Sequence, residues 1–160
     1  MDTSKDSGIR FDQIFLRTAH FAHREDALNL PHTTPHGPNT GVVLRMQFYK
    51  GTPGRAGVGV SVSTDPNDLS LLYQFEVEMV ALVAEVAGEE NMPVSEYVKG
   101  PALATLVPFI REAVANLTGR GRFGPVWLNP MNLQQFLLES VEKRDDQSAA
   151  EEVEIERARA

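Results

Sequence analysis

The residues most suggestive of chemistry are the four histidines, which all lie between positions 20 and 36. His32 and His36 are four positions apart, a spacing that can bind zinc when both side chains project from one helix face. Prolines within and after that segment favour a loop instead. His20 and His23 lie on a predicted strand at an odd spacing, which places them on opposite faces. The pattern favours solvated loop histidines, and a small metal-dependent enzyme is the minority hypothesis.

A second arrangement that could do chemistry is the carboxylate pair Glu76 and Glu78. Two acids on one strand face could act as general acid and base. No other catalytic group converges on them, and the chain has no Cys to supply a thiolate. A solvated strand face is therefore the favoured interpretation. We predict no catalytic residue, no metal and no cofactor, so the chain is not expected to be an enzyme.

Charge and hydropathy exclude further classes of protein. The chain has 160 residues, a net charge of −7 and a pI of about 5.1. Nucleic acid binding depends on clustered Lys and Arg, and no such cluster is present. The most apolar stretch, 69–87, contains three glutamates that a membrane-spanning helix would have to bury in lipid. The N-terminus resembles no secretory signal. We therefore expect a cytoplasmic protein with no membrane insertion and no nucleic acid partner.

The elements that would position these residues begin with strands. Residues 11–24 are predicted to form the first strand, and residues 25–40 a long crossover loop. One face of this strand is predicted to carry Phe11, Phe15, Ala19 and Phe21, and the other Ile14, Leu16 and Ala22. Residues 41–50 and 58–63 alternate cleanly, and a fourth strand starts near residue 69. Short turns at 51–54 and 65–68 join them, which predicts a four-stranded antiparallel sheet.

Helical spacing replaces strand alternation after residue 100. A helix is predicted to open at Pro101, to contain a kink at Pro108 and to end near Gly119. A second helix is predicted to follow Asn129 and Pro130, with an apolar stripe. The fold class is therefore α+β, with a four-stranded antiparallel sheet and two C-terminal helices. We predict a flexible N-terminus over 1–10, one domain over 11–144 and a charged, mobile, acidic tail over 145–160.

Three short motifs in the C-terminal third resemble the SecB export-chaperone family. The family pattern is Pro-aromatic-x-Arg-Glu, then Arg-Gly-x-Phe, then Leu-x-Pro-x-Asn-apolar. The matching residues are Pro108-Phe109-Ile110-Arg111-Glu112, Arg120-Gly121-Arg122-Phe123 and Leu128-Asn129-Pro130-Met131-Asn132-Leu133. Each motif alone is weak. All three in register, without insertions, are a strong signal.

The resemblance implies a SecB-like fold and an ATP-independent holdase that binds unfolded precursor polypeptides for Sec-dependent export. It implies a homotetramer built as a dimer of dimers. The expected peptide-binding residues flank the start of the last helix: Trp127, Leu128, Met131 and Phe136. Ordinary core packing is the alternative for each of them.

The resemblance also implies an acidic docking surface for the SecA motor, which Glu76 matches and beside which Glu78 lies. Thr18 and Ala22 stand where the family carries two further acids, so SecA is only a possible partner. This departure is compatible with a SecB-like chaperone that serves a non-export client such as an antitoxin. An interaction adaptor without general affinity for unfolded chains is a further alternative.

Overall fold

The structure is a computed structural model that describes residues 7–37, 42–89 and 91–129, together with Gln135 and Glu139. These residues contain four strands and two α-helices: β1 (Ile9–His23), β2 (Val42–Lys50), β3 (Arg55–Thr64), β4 (Tyr73–Glu85), α1 (Val94–Lys99) and α2 (Pro101–Thr118). A single 3-10 turn, Glu25–Ala27, follows β1 in the crossover segment. The predicted tail and most of the predicted second C-terminal helix lie outside the described residues.

The strands form one antiparallel sheet in the order β1-β4-β3-β2. Two hairpins join β2 to β3 and β3 to β4, as predicted from the turns, although β4 begins at Tyr73, four residues after its predicted start. The crossover segment after β1 carries the chain from one edge of the sheet to the other, because β1 and β2 occupy opposite edges. A four-stranded antiparallel sheet is thereby confirmed.

One face of the sheet packs against both helices and forms the core. β3 contributes Val58, Val60 and Val62 to it, all with no exposed surface, and β4 contributes alternate residues from Tyr73 to Val83. The facing side chains of α2 are Leu103, Leu106, Ile110 and Val114. Burial of each such side chain is worth about 1.5–3 kcal/mol, so this layer fixes the register of the sheet. We call the opposite, helix-free face the outer face.

The predicted alternation of β2 is confirmed. Leu44, Met46 and Phe48 pair with the buried valines of β3, whereas Arg45 and Tyr49 pair with Ser61 and Gly57 on the outer face. Strict alternation is expected when one face of an antiparallel strand is buried and the other is solvated.

The predicted faces of β1 are wrong in part, because the strand contains two bulges. The register with β4 skips one residue between Phe11 and Gln13 and another between Leu16 and Thr18. Each extra residue reverses the side-chain alternation beyond it. Phe15 therefore pairs with Val80 on the outer face, and Ile14 packs against the core instead. The strand also begins at Ile9, two residues before the predicted start.

The helical region differs from the prediction by one element. α2 begins at Pro101, runs on through Pro108 and ends at Thr118, and it is capped by Gly119, whose N–H donates to the Ala115 carbonyl at 2.8 Å. The short helix α1, from Val94 to Lys99, was not predicted from the sequence. Of the predicted second helix, only Gln135 and Glu139 are described, and both are helical. In the part of the chain that the structure describes, no helix is long and apolar enough to cross a membrane.

Candidate functional site

A buried tyrosine at the start of β4 holds the loop that follows α2. Tyr73 is 1% exposed and lies on the helix side of the sheet. Its hydroxyl accepts a hydrogen bond from the N–H of Phe123 at 2.6 Å and donates to the carbonyl of Gly124 at 3.1 Å. Burial raises the pKa of the Tyr73 phenol above 10.0, and the two backbone hydrogen bonds partly offset that rise. The loop around residues 121–124 is thus fixed to the sheet through one side chain.

The glycine of the Arg-Gly-x-Phe motif is required by close packing against this tyrosine. A Cβ atom at Gly121 would lie 2.6 Å from both the Cζ and the hydroxyl oxygen of Tyr73. The same atom would lie 2.7 Å from Cζ of Phe21 on β1. No larger residue fits without displacing an aromatic ring. The motif therefore has a structural cause in this chain.

Arg122 connects the same loop to β1 and to the crossover segment. Its backbone N–H donates to Nε2 of His23 at 3.0 Å. Its guanidinium donates to the carbonyls of Leu28 and Leu30 at 3.0 and 3.1 Å. The crossover segment and the loop after α2 therefore form one connected surface.

Two of the four histidines are packed into this region, contrary to the expectation of solvated loop histidines. The rings of His23 and His36 lie 5.3 and 4.8 Å from the Tyr73 ring, between centroids. Nε2 of His36 lies 3.2 Å from the Gly124 carbonyl, and its Nδ1 is buried with no hydrogen-bond partner among the described residues. Both histidines are structural members of an aromatic cluster, completed by Phe21 and Phe123.

His20 lies on the outer face opposite Glu76, and His23 on the helix side opposite Tyr73, as their spacing predicted. The residues that the structure describes contain no group of three or more His, Cys, Asp or Glu side chains placed to hold a metal ion. His32 and His36, considered above as a minority hypothesis for zinc binding, are therefore not joined by a third ligand within those residues.

Trp127 is held outward between two buried neighbours. Val126 and Leu128 are 2% and 5% exposed, whereas Trp127 is 68% exposed. The hydroxyl of the buried Thr118 accepts from the N–H of Val126 at 2.8 Å and donates to a carbonyl of α2. Arg111, from the first SecB-like motif, donates through Nε to the Leu128 carbonyl at 3.0 Å. This segment is therefore fixed on both sides of a large exposed indole.

Of the four residues predicted to bind peptide, the structure places two. Trp127 presents its ring at the surface, and Leu128 packs in the core. Met131 and Phe136 lie outside the described residues. Other large apolar side chains are exposed on the crossover segment and on α2, at Leu28, Leu30 and Phe109.

The two predicted docking acids lie on the outer face but differ in environment. Glu76 is exposed and opposite His20, whereas the Glu78 side chain is only 14% exposed. The Glu78 carboxylate accepts from the Tyr49 hydroxyl at 2.8 Å and forms an ion pair with Arg17, at 3.3 Å from Nη1. Arg17 also contacts the Tyr49 hydroxyl and stacks over its ring. We call Arg17, Tyr49 and Glu78 the outer-face clamp.

The clamp crosses the sheet because β3 carries glycines beneath it. A Cβ atom at Gly59 would lie 2.8 Å from Oε1 of Glu78 and 3.2 Å from Cε2 of Tyr49. The ring of Tyr49, on β2, therefore reaches over β3 to the carboxylate on β4. Burial and the neighbouring Glu78 raise the pKa of Tyr49, and Arg17 acts in the opposite direction.

Thr18 and Ala22 share the outer face with both glutamates. Thr18 is opposite Glu78, with 3.5 Å between Oγ1 and Oε2, and Ala22 is opposite Gln74. The register thus places two uncharged residues beside the predicted docking acids. The sequence did not indicate the clamp, because it depends on the bulge that turns Arg17 toward Glu78.

Comparison with known proteins identifies a family for this architecture. Residues 6–144 match the family model described as preprotein translocase subunit SecB. The chain is 27% identical over 125 residues to the protein-export protein SecB of Acidithiobacillus ferrooxidans, which covers 77% of this chain and 83% of that protein. It is 30% identical over 98 residues to the protein-export protein SecB of Actinobacillus succinogenes, a match that covers 59% of this chain and 57% of that protein.

A solved structure shows the same fold. The Mycobacterium tuberculosis SecB-like chaperone, in complex with a peptide from the HigA1 antitoxin, superposes with a TM-score of 0.50. The match covers 76% of this chain and 86% of that one, at 20% sequence identity.

Proposed function

The chain belongs to the SecB family of chaperones, and from that premise we propose that it is a cytoplasmic, ATP-independent holdase for unfolded polypeptides. The observation that carries this proposal is Trp127, a large indole kept at the surface by buried residues on both sides. An exposed aromatic group on a fixed segment can bind apolar side chains without sequence specificity, because the driving force is burial of apolar area.

The surroundings of Trp127 support a peptide-binding role. Arg122 ties the loop after α2 to the crossover segment, on which Leu28 and Leu30 are 46% and 36% exposed. Apolar groups on connected segments offer an unfolded chain several weak contacts at once. Trp127 and Met131 are proposed to contact the client directly. Leu128 is proposed to hold the indole in place from the core.

Aggregation suppression tests the holdase activity. We expect the protein to keep a slowly folding client soluble without ATP and to leave the folded client unbound. Trp127→Ala should weaken client affinity by roughly ten- to a hundredfold, since burial of a large apolar side chain is worth about 1.5–3 kcal/mol. Leu69→Ala is the matched control, because Leu69 is 64% exposed but lies in the β3–β4 turn.

If the Trp127 and Leu69 variants suppress client aggregation equally well, Trp127 is not part of the binding site. Equal binding of folded and unfolded client would instead favour the alternative, an interaction adaptor.

We also propose that the functional unit is a homotetramer. β1 is an edge strand with one neighbour, and it carries two large apolar side chains that are substantially exposed, Phe15 at 39% and Leu16 at 50%. Exposed edge strands with apolar side chains favour pairing with another chain. Joining of two sheets along β1 is the contact we propose within each dimer.

Two clients are consistent with the family. The curated relatives are named for protein export, which supports unfolded precursor proteins as the clients and SecA as a partner. The outer face supports a second candidate, a client outside export such as an antitoxin, which is the source of the peptide bound by the M. tuberculosis chaperone. Glu78 is held by Arg17 and Tyr49, and Thr18 and Ala22 are uncharged, so a cationic SecA tail would find little free negative charge.

A further inference from the structure

The outer face carries the opposite charge balance from the molecule as a whole. Four arginines project from it, against three carboxylates, although the chain has a net charge of −7. The arginines are Arg10, Arg17, Arg45 and Arg55, and the acids are Asp12, Glu76 and Glu78.

Two of the three acids of this face, Asp12 and Glu78, have less exposed side chains than the arginines paired with them, whereas Glu76 is exposed. The side chains of Arg10 and Arg55 are 63% and 60% exposed, and both are within ion-pair distance of Asp12, which is 27% exposed. Glu78 is 14% exposed beneath Arg17, which is 49% exposed. The exposed charges of this face are thus four arginines against mainly Glu76, so a negatively charged polypeptide is favoured.

A small apolar depression lies within this cationic surface. A cavity of about 170 Å3 lies beside the β2–β3 hairpin, with Gly57, Leu82 and Tyr49 among its lining residues, and we call it the Gly57 cavity. Arg55 and Lys50 also line it, and Asp12 is the acidic group there. Such a cavity suits one aliphatic side chain whose neighbours are carboxylates.

The chain itself contains a segment with that chemistry. Residues 151–156 read Glu-Glu-Val-Glu-Ile-Glu, so that Val153 and Ile155 each have a glutamate on both sides. This segment lies outside the described residues. Eleven residues separate this segment from Glu139, and such a stretch can span roughly 40 Å when it is extended. The span is comparable to the diameter of a domain of this size, so chain length does not prevent the contact.

We propose that residues 151–156 dock on the outer face, with Val153 or Ile155 in the Gly57 cavity and the glutamates beside the surrounding arginines. This inference does not depend on the chaperone activity proposed above, because it concerns the helix-free side of the sheet.

Photo-crosslinking of the full chain tests the contact. The chain has no cysteine, so an Ile155→Cys variant can be labelled at one position with benzophenone maleimide. We expect illumination to join the label to β2, β3 and β4 around the cavity, as mapped by mass spectrometry. Raising the salt concentration should lower the yield, because exposed ion pairs are screened.

Charge variants made in the labelled chain identify the cause of any crosslink. Arg10→Gln with Arg55→Gln, and separately Glu152→Gln with Glu154→Gln, should each lower the yield roughly three- to tenfold, as expected for loss of a few exposed ion pairs. Matched controls are Arg120→Gln, away from the outer face, and Asp145→Asn with Asp146→Asn, outside the segment. Controls should retain the parental yield.

Crosslinks confined to the helix side, or none at all, would overturn the proposal. So would equal losses in the test and control variants, because the yield would then report overall charge rather than this contact.

Discussion

The hydroxyl of Tyr73, which bonds to the loop after α2, should matter more to stability than that of Tyr49, which bonds across the sheet to Glu78. Tyr73→Phe removes a group that joins the N–H of Phe123 and the carbonyl of Gly124 to the buried face of β4. Loss of the partner of a buried backbone group costs about 1–3 kcal/mol. His36 still faces the Gly124 carbonyl, so most of the cost falls on the Phe123 N–H.

Tyr49→Phe is the matched control, because it removes the same atom from the outer face. There the Glu78 carboxylate keeps its ion pair with Arg17, and the expected cost is about 0–1 kcal/mol. Urea unfolding at a fixed protein concentration measures both variants. With a slope of about 1–3 kcal/mol per M, a loss of about 2 kcal/mol lowers the midpoint by roughly 1 M. Equal midpoints for the two variants would refute the claim that Tyr73 fixes the loop after α2.

Three further predictions concern pH, assembly and partner choice. Burial raises the pKa of folded Tyr73 above its unfolded value of 10.0, so its stabilisation is complete below pH 10 and is lost as pH rises through the folded pKa. Above pH 10, the free energy of unfolding should therefore fall less steeply with pH for Tyr73→Phe than for the parent, and an equal fall in both would contradict the assignment. Light scattering should report a tetramer at micromolar protein concentration that does not dissociate in high salt, whereas Leu16→Lys on the β1 edge should lower the measured molar mass. A parent protein that is monomeric throughout this concentration range would exclude the proposed assembly. Calorimetry should show weak, salt-sensitive binding of a SecA tail peptide, and Thr18→Asp with Ala22→Glu should strengthen this binding about tenfold. Tight binding by the parent would show that Glu76 and the clamped Glu78 suffice for docking.

Much of the fold could be predicted from the sequence because periodicity reports burial. The alternation of β2 and the valines of β3 gave the correct faces, and Pro101 and Gly119 marked the ends of α2. The faces of β1 were partly wrong because a bulge leaves no signal in residue type, and the two bulges moved Phe15 to the outer face. Helix α1 was missed because six residues are too few to establish a helical period.

The site could be predicted less well, because its contacts join residues that are distant in the chain. His23 and Arg122 are 99 positions apart, and their hydrogen bond left no local pattern by which the packed histidine could be recognised. The motif residues were found as a resemblance, but their physical role required coordinates. Gly121, for example, is explained by the atoms of Tyr73 that a side chain would strike. Met131 and Phe136 remain predictions, since they lie outside the described residues.

The outer-face clamp has a mechanical consequence for the sheet. Neighbouring strands twist relative to one another, and hydrogen bonds along the ladder constrain only adjacent pairs. Tyr49 on β2 bonds to Glu78 on β4 over the glycines of β3, and Arg17 extends the link to β1. The clamp therefore acts as a cross-brace that joins the two edges of the sheet and restricts its twist. A displacement of the β1 edge, where a second chain is proposed to pair, would be transmitted to β2 without passing through the core.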